Sequence, residues 1–125
     1  MTQLLISWGP ATLWAAALFY LSSQSDPLGS STFPLNDKVA HLIMFGVLGA
    51  ALVWGGRRSE RLGLHAGLIF LGFLFAASDE WHQASVPLRD PSAGDFVADA
   101  LGIILGYLFA RALLQARRGP GTTQI

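Results

Sequence analysis

The sequence predicts an all-α membrane protein, a bundle of four transmembrane helices with both termini in the cytoplasm. Three observations carry this prediction. The 125 residues are 52% hydrophobic and only 13% charged, about half the roughly 25% charge of ordinary soluble chains. The apolar residues are gathered into four blocks, each near the roughly 20 residues that a helix needs to cross a hydrocarbon core of about 30 Å. The middle of each block is apolar all round, whereas a soluble four-helix bundle keeps a polar face on every helix.

The blocks justify themselves in turn. Block one, about residues 4–23, contains no charge. The residues before it lack the Lys or Arg of a signal-peptide n-region, and its apolar stretch exceeds the roughly 7–15 residues of an h-region, so it reads as a retained span. Pro10 lies in its early turns, where proline is tolerated or bends the helix modestly. Block two, about 36–56, is charged only at Asp37 and Lys38, with His41 one turn further in; Asn36 suits its N-cap. Block three, about 62–84, is free of charge until Asp79. Block four, about 93–115, holds Asp95, Asp99 and Arg111. Ser92 with Asp95 three residues later resembles a capping box at its start. The blocks make one domain over residues 1–115, and residues 116–125 form a flexible cytoplasmic tail.

Orientation follows from the basic residues. Arg57, Arg58 and Arg61 separate spans two and three, and Arg117 and Arg118 follow span four, whereas the other side has only Lys38 and Arg89. The positive-inside rule then places both termini in the cytoplasm and the first and third loops in the periplasm or outside the cell. Zero formal net charge removes any general pull toward nucleic acid. The absence of cysteine excludes disulfides, thiolate zinc sites and cysteine nucleophiles. Ala98, Gly102, Gly106 and Ala110 recur every four residues in span four, and Gly63 and Gly67 do so in span three. Both stripes are expected to serve packing within the bundle. His65, alone near the inner end of span three, is expected to be structural or exposed, and Arg111 is placed to snorkel.

Depth then singles out a site. Asp37, Lys38 and His41 open span two. Asp79, Glu80, His82 and Gln83 close span three, and Asp95 and Asp99 open span four. With alternating topology all of these lie near the outer surface. Asp37 and His41 share a helix face, as do Asp79 and Gln83, and Asp95 and Asp99. Three helix ends thus converge on one outward pocket. Five acids against Lys38 and Arg89 cannot all ionise in a partly dry site without compensation. Acids in neutral form, a protonated histidine or a bound divalent cation would each supply it; such a metal is possible and not required. Asp37 and Asp95 also suit helix N-termini, and Trp81 and His82 suit the membrane interface. Asp79 and Glu80 sit at a helix C-terminus, where the dipole disfavours anions, and Asp99 is recessed, so these three point to function.

In order along the chain, Asp37-Lys38-x-x-His41-x-x-x-Phe45, Asp79-Glu80-x-x-Gln83-x-x-x-Pro87-x-Arg89 and Asp95-x-x-x-Asp99-x-x-Gly102, with YLSSQS closing span one, resemble the VanZ-like family of small bacterial membrane proteins. The resemblance runs from about Phe19 to Gly106. It implies a cell-envelope protein; the family is named for a protein associated with resistance to the glycopeptide teicoplanin, and it does not supply a reaction.

The functional expectation is a protein that binds or modifies an amphiphilic envelope component: a lipid-linked precursor, a phospholipid or a lipoglycopeptide such as teicoplanin. Asp79, Glu80 and His41 are the candidate acid/base groups. Lys38, Gln83, Arg89, Asp95 and Asp99 are the candidate binding groups, with Arg89 and Lys38 suited to phosphate or carboxylate. The alternatives are a metal- or carboxylate-assisted hydrolase or transferase, and a structural scaffold for an envelope complex. No polar trail crosses the bilayer, which disfavours transport. The oligomeric state is not legible.

Overall fold

The computed structural model describes residues 1–24, 34–88, 90 and 92–120. Four helices follow one another: α1 (Thr2–Ser22), α2 (Pro34–Gly56), α3 (Leu62–Gln83) and α4 (Ala93–Arg118). No strand occurs among the described residues. All four helices are long and apolar enough to cross a membrane, and the predicted spans agree with them to within three residues at each end. Two boundaries differ from expectation. The second helix begins at Pro34, so Asn36 lies inside it and not at the N-cap position; proline favours the first helical turn, where its missing N–H costs nothing. The fourth helix continues to Arg118 and stops at Gly119, whose φ is +75°. The first three residues of the expected tail are therefore helical, and 121–125 lie outside the described residues.

The outward surface of the bundle is apolar. Leu13, Phe70, Leu105 and Phe109 are each more than half exposed, a surface that suits acyl chains and not water. The core is thin: Leu18, Phe45, Leu48, Leu52, Val53, Ala76, Ile103 and Tyr107 are buried in it.

The most extensive contact is between α2 and α4, while α1 and α4 do not touch. Both α2 and α4 start at the same end of the bundle, so this central pair is parallel. Small residues bring it together. A Cβ at Gly102 would collide with the Leu42 carbonyl, one at Gly106 with the Gly46 carbonyl, and one at Gly49 with the Ile103 carbonyl. The stripe expected in span four is thus an intramolecular backbone-to-backbone seam. The expectation for span three is corrected: a Cβ at Gly63 or Gly67 would meet nothing within 4 Å, so these glycines pack against no other helix.

Tryptophans pin α1 alongside α2. Trp14 donates its indole N–H to the Met44 carbonyl at 2.8 Å, and Trp54 donates to the Ile6 carbonyl at 3.1 Å. At the end away from the acids, His65 is buried and structural. Its Nε2–H donates to the Ser59 carbonyl at 2.8 Å, which leaves Nδ1 to accept from the Tyr107 hydroxyl. Arg111 and Arg118 both pair with Glu60, at 3.6 and 2.6 Å.

Candidate functional site

The parallel α2–α4 seam sets the register of the polar residues at its start. Ser92 caps α4, its Oγ accepting from the Asp95 N–H at 3.1 Å. The reciprocal half of a capping box is missing because the Asp95 carboxylate turns to α2 and pairs with Lys38. The Lys38 ammonium also reaches Ser92 Oγ at 3.2 Å. One turn deeper, His41 Nδ1 meets Asp99 Oδ1 at 2.7 Å, with the Asp99 side chain fully buried. Asp95 and Asp99 share a face and would repel each other; each is met by a different donor of α2. On the other edge of His41, Nε2 lies 3.7 Å from Asp37 Oδ1.

The end of α3 closes the site. Asp79 and Gln83 are both buried, and the Gln83 amide donates to Asp79 Oδ2 at 3.1 Å. Both oxygens of Glu80 are withdrawn from solvent without a hydrogen-bond partner among the described residues, as is Asp99 Oδ2. The Ser92 backbone donates only weakly to Glu80, outside standard hydrogen-bond geometry. Two carboxylates at the C-terminus of α3 are tolerable here because α2 and α4 both present their N-termini to the same region, and helix N-termini favour anions.

Of the predicted site residues, Asp37, Lys38, His41, Asp79, Glu80, Gln83, Asp95 and Asp99 gather at this end of the bundle. Arg89 lies outside the described residues. Asp90 is exposed. Trp81 is 82% exposed. His82 serves the bundle instead: it stacks on Phe19 at 4.5 Å and hydrogen-bonds Ser23 Oγ at 2.9 Å, tying α3 to α1.

A cleft of about 430 Å³, counting the open solvent at its mouth, runs along His41 between α1, α2 and α3. Its polar wall is Ser22, Asp37, His41, Asp79 and Gln83, and its apolar wall includes Leu18, Leu21, Met44 and Phe45. Behind it, two sets of three side chains have ligand atoms all within 4.8 Å of one another: Asp37, His41 and Asp95, and His41, Glu80 and Asp99.

A family model described as VanZ/LLP1 matches residues 5–115. The chain belongs to the VanZ/LLP1 family. It is a multi-pass membrane protein of that family. No curated protein and no solved structure matches it. In this VanZ-family chain the polar motifs quoted above are what the α2–α4 seam and the end of α3 bring together. Reading the sequence missed the contribution of α1. Ser22, buried with an Oγ unpaired among the described residues, and Leu18 and Leu21 line the cleft. The signal was within YLSSQS, where Ser22 follows Leu18 by four residues and so shares its face.

Proposed function

We propose that this VanZ-family protein binds the polar headgroup of an amphiphilic envelope component in the cleft along His41, with the adjoining chain held against Leu18, Leu21, Met44 and Phe45. The observation that carries this reading is the division of one cleft into a polar wall and an apolar wall. A purely structural polar lock has no use for an open apolar floor beside it. The cleft is small and open at its mouth, which suits a headgroup with its first carbons, as in a phospholipid or lipid-linked precursor. The basic residues gathered at the opposite end of the bundle, Arg57, Arg58, Arg61, Arg117 and Arg118, support a cleft that opens on the periplasmic or outer side of the bacterial inner membrane.

A second reading, chemistry on the bound headgroup, is favoured by the His41–Asp99 pair. A buried carboxylate that accepts from Nδ1–H leaves Nε2 as the basic nitrogen, the arrangement of a general base. Ser22, whose Oγ is unpaired among the described residues, lines the same cleft.

Lipid extraction and mass spectrometry of the purified protein test the binding reading. The wild type is expected to retain a defined amphiphile that Asp79→Asn and Gln83→Ala lose while remaining folded. The same unselected lipids in all three would overturn it.

A further inference from the structure

We propose that His41, Glu80 and Asp99 form a binding site for one first-row divalent cation, Mn²⁺ or Zn²⁺, at the back of the cleft. A ring nitrogen of His41 and one carboxylate oxygen from each acid lie within 4.8 Å of one another. Ligands about 2.0–2.2 Å from one ion fit within that separation.

Proximity of acids alone does not make a site; the state of these particular oxygens does. Glu80 offers one oxygen to the cluster, and both of its oxygens are shut away from solvent with no hydrogen-bond partner among the described residues. The Asp99 side chain is fully buried, and its Oδ2 is equally unsatisfied. Buried polar atoms are nearly always paired, and an unpaired carboxylate is the costliest exception. Among the described residues, nearby cations do not answer the need. Lys38 is held by Asp95, and His41 carries at most one positive charge against both Glu80 and Asp99. The alternative triad of Asp37, His41 and Asp95 is weaker, because Asp95 is already paired and the Asp37 side chain is 44% exposed.

The donor set narrows the ion. Imidazole suits zinc and its neighbours, carboxylates suit manganese, and a mixed set disfavours Ca²⁺ and Mg²⁺, which prefer oxygen alone. Three protein donors leave coordination positions free. The ion would also change what the cleft accepts. Asp37 and Asp79 make its polar wall acidic, which repels a phosphate, and a bound divalent cation inverts that local field. The inference thus deepens the headgroup reading and rests on it for what the ion meets: a phosphate-bearing headgroup.

The test uses purified protein in lipid nanodiscs, stripped with EDTA and titrated with MnCl₂ or ZnCl₂. The wild type is expected to take up one ion per chain. Glu80→Gln and Asp99→Asn should weaken uptake by more than the roughly 10- to 100-fold typical of losing an outer-shell partner, while His82→Ala binds as the wild type does. Pulsed EPR of the Mn²⁺-loaded wild type should show coupling to one imidazole nitrogen, a readout that does not depend on any variant folding. No uptake by the wild type, equal uptake by Glu80→Gln, or no nitrogen coupling would each overturn the site. Lipid measured on the same samples separates the two readings. Lipid retained through EDTA with no ion uptake overturns the ion and leaves the headgroup reading standing. An ion bound with no retained lipid supports the site and overturns the headgroup reading.

Discussion

Glu80 is the residue where stability and use part company. Its carboxylate is enclosed beside Asp99 and His41 without a hydrogen bond of standard geometry among the described residues. A group retained for structure gives a destabilised protein when it is neutralised. A group retained for a ligand gives the reverse, because a buried charge without a partner weakens the fold. In EDTA at alkaline pH, Glu80→Gln is therefore expected to raise the melting temperature by a few degrees, about 1 kcal/mol for a chain of this size. Differential scanning fluorimetry in detergent reads it directly, and a marked fall would return Glu80 to a structural role. His65 is the contrasting case. It is buried with both ring nitrogens engaged, one by Tyr107 and one by the Ser59 carbonyl, so its chemistry is spent on holding the opposite end of the bundle.

Among the elements, the α2–α4 pair builds the site. Gly102 and Gly106 allow α4 to lie directly on the backbone of α2, and that closeness lets Lys38 reach Asp95 and His41 reach Asp99. Gly106→Ala puts a methyl group into the Gly46 carbonyl and should cost about 1–3 kcal/mol, the usual range for overpacking. Gly63→Ala, which meets nothing, should leave stability unchanged or raise it. Thermal melts of the two variants side by side check this; equal behaviour would contradict the seam. The four-residue spacing of Ala98, Gly102, Gly106 and Ala110 made the seam legible in the sequence, but the identical spacing of Gly63 and Gly67 did not mark a contact. Spacing shows that a helix has a small-residue face and not which neighbour it meets. In the same way, depth and helical spacing brought Asp37, His41, Asp79, Glu80, Asp95 and Asp99 to one end. The pairings across helices depend on the parallel register of α2 and α4, which no local pattern encodes. The role of His82 was illegible for a related reason: its partners Phe19 and Ser23 sit about sixty residues away on α1.

At the scale of the molecule, the bundle is polarised: the His41 cluster and the cleft at one end, Arg57, Arg58, Arg61, Arg117 and Arg118 at the other, and lipid-facing apolar surface between. The four spans could be read from composition because a bilayer demands about 20 apolar residues per helix whatever the packing. The cleft could not, since its floor is made of ordinary leucine, methionine and phenylalanine. Because the chain has no cysteine, single substitutions report topology cleanly. Ser85→Cys is expected to react with a membrane-impermeant maleimide on intact cells, and Ser59→Cys only after lysis; the opposite pattern would reverse the orientation. The central claim is that the cleft holds an amphiphile by both of its walls. Native mass spectrometry of the wild type beside Met44→Trp, which fills the apolar wall without touching a charged group, tests it most directly. One retained lipid per chain is expected in the wild type and none in Met44→Trp. The same retained lipid in both would contradict it.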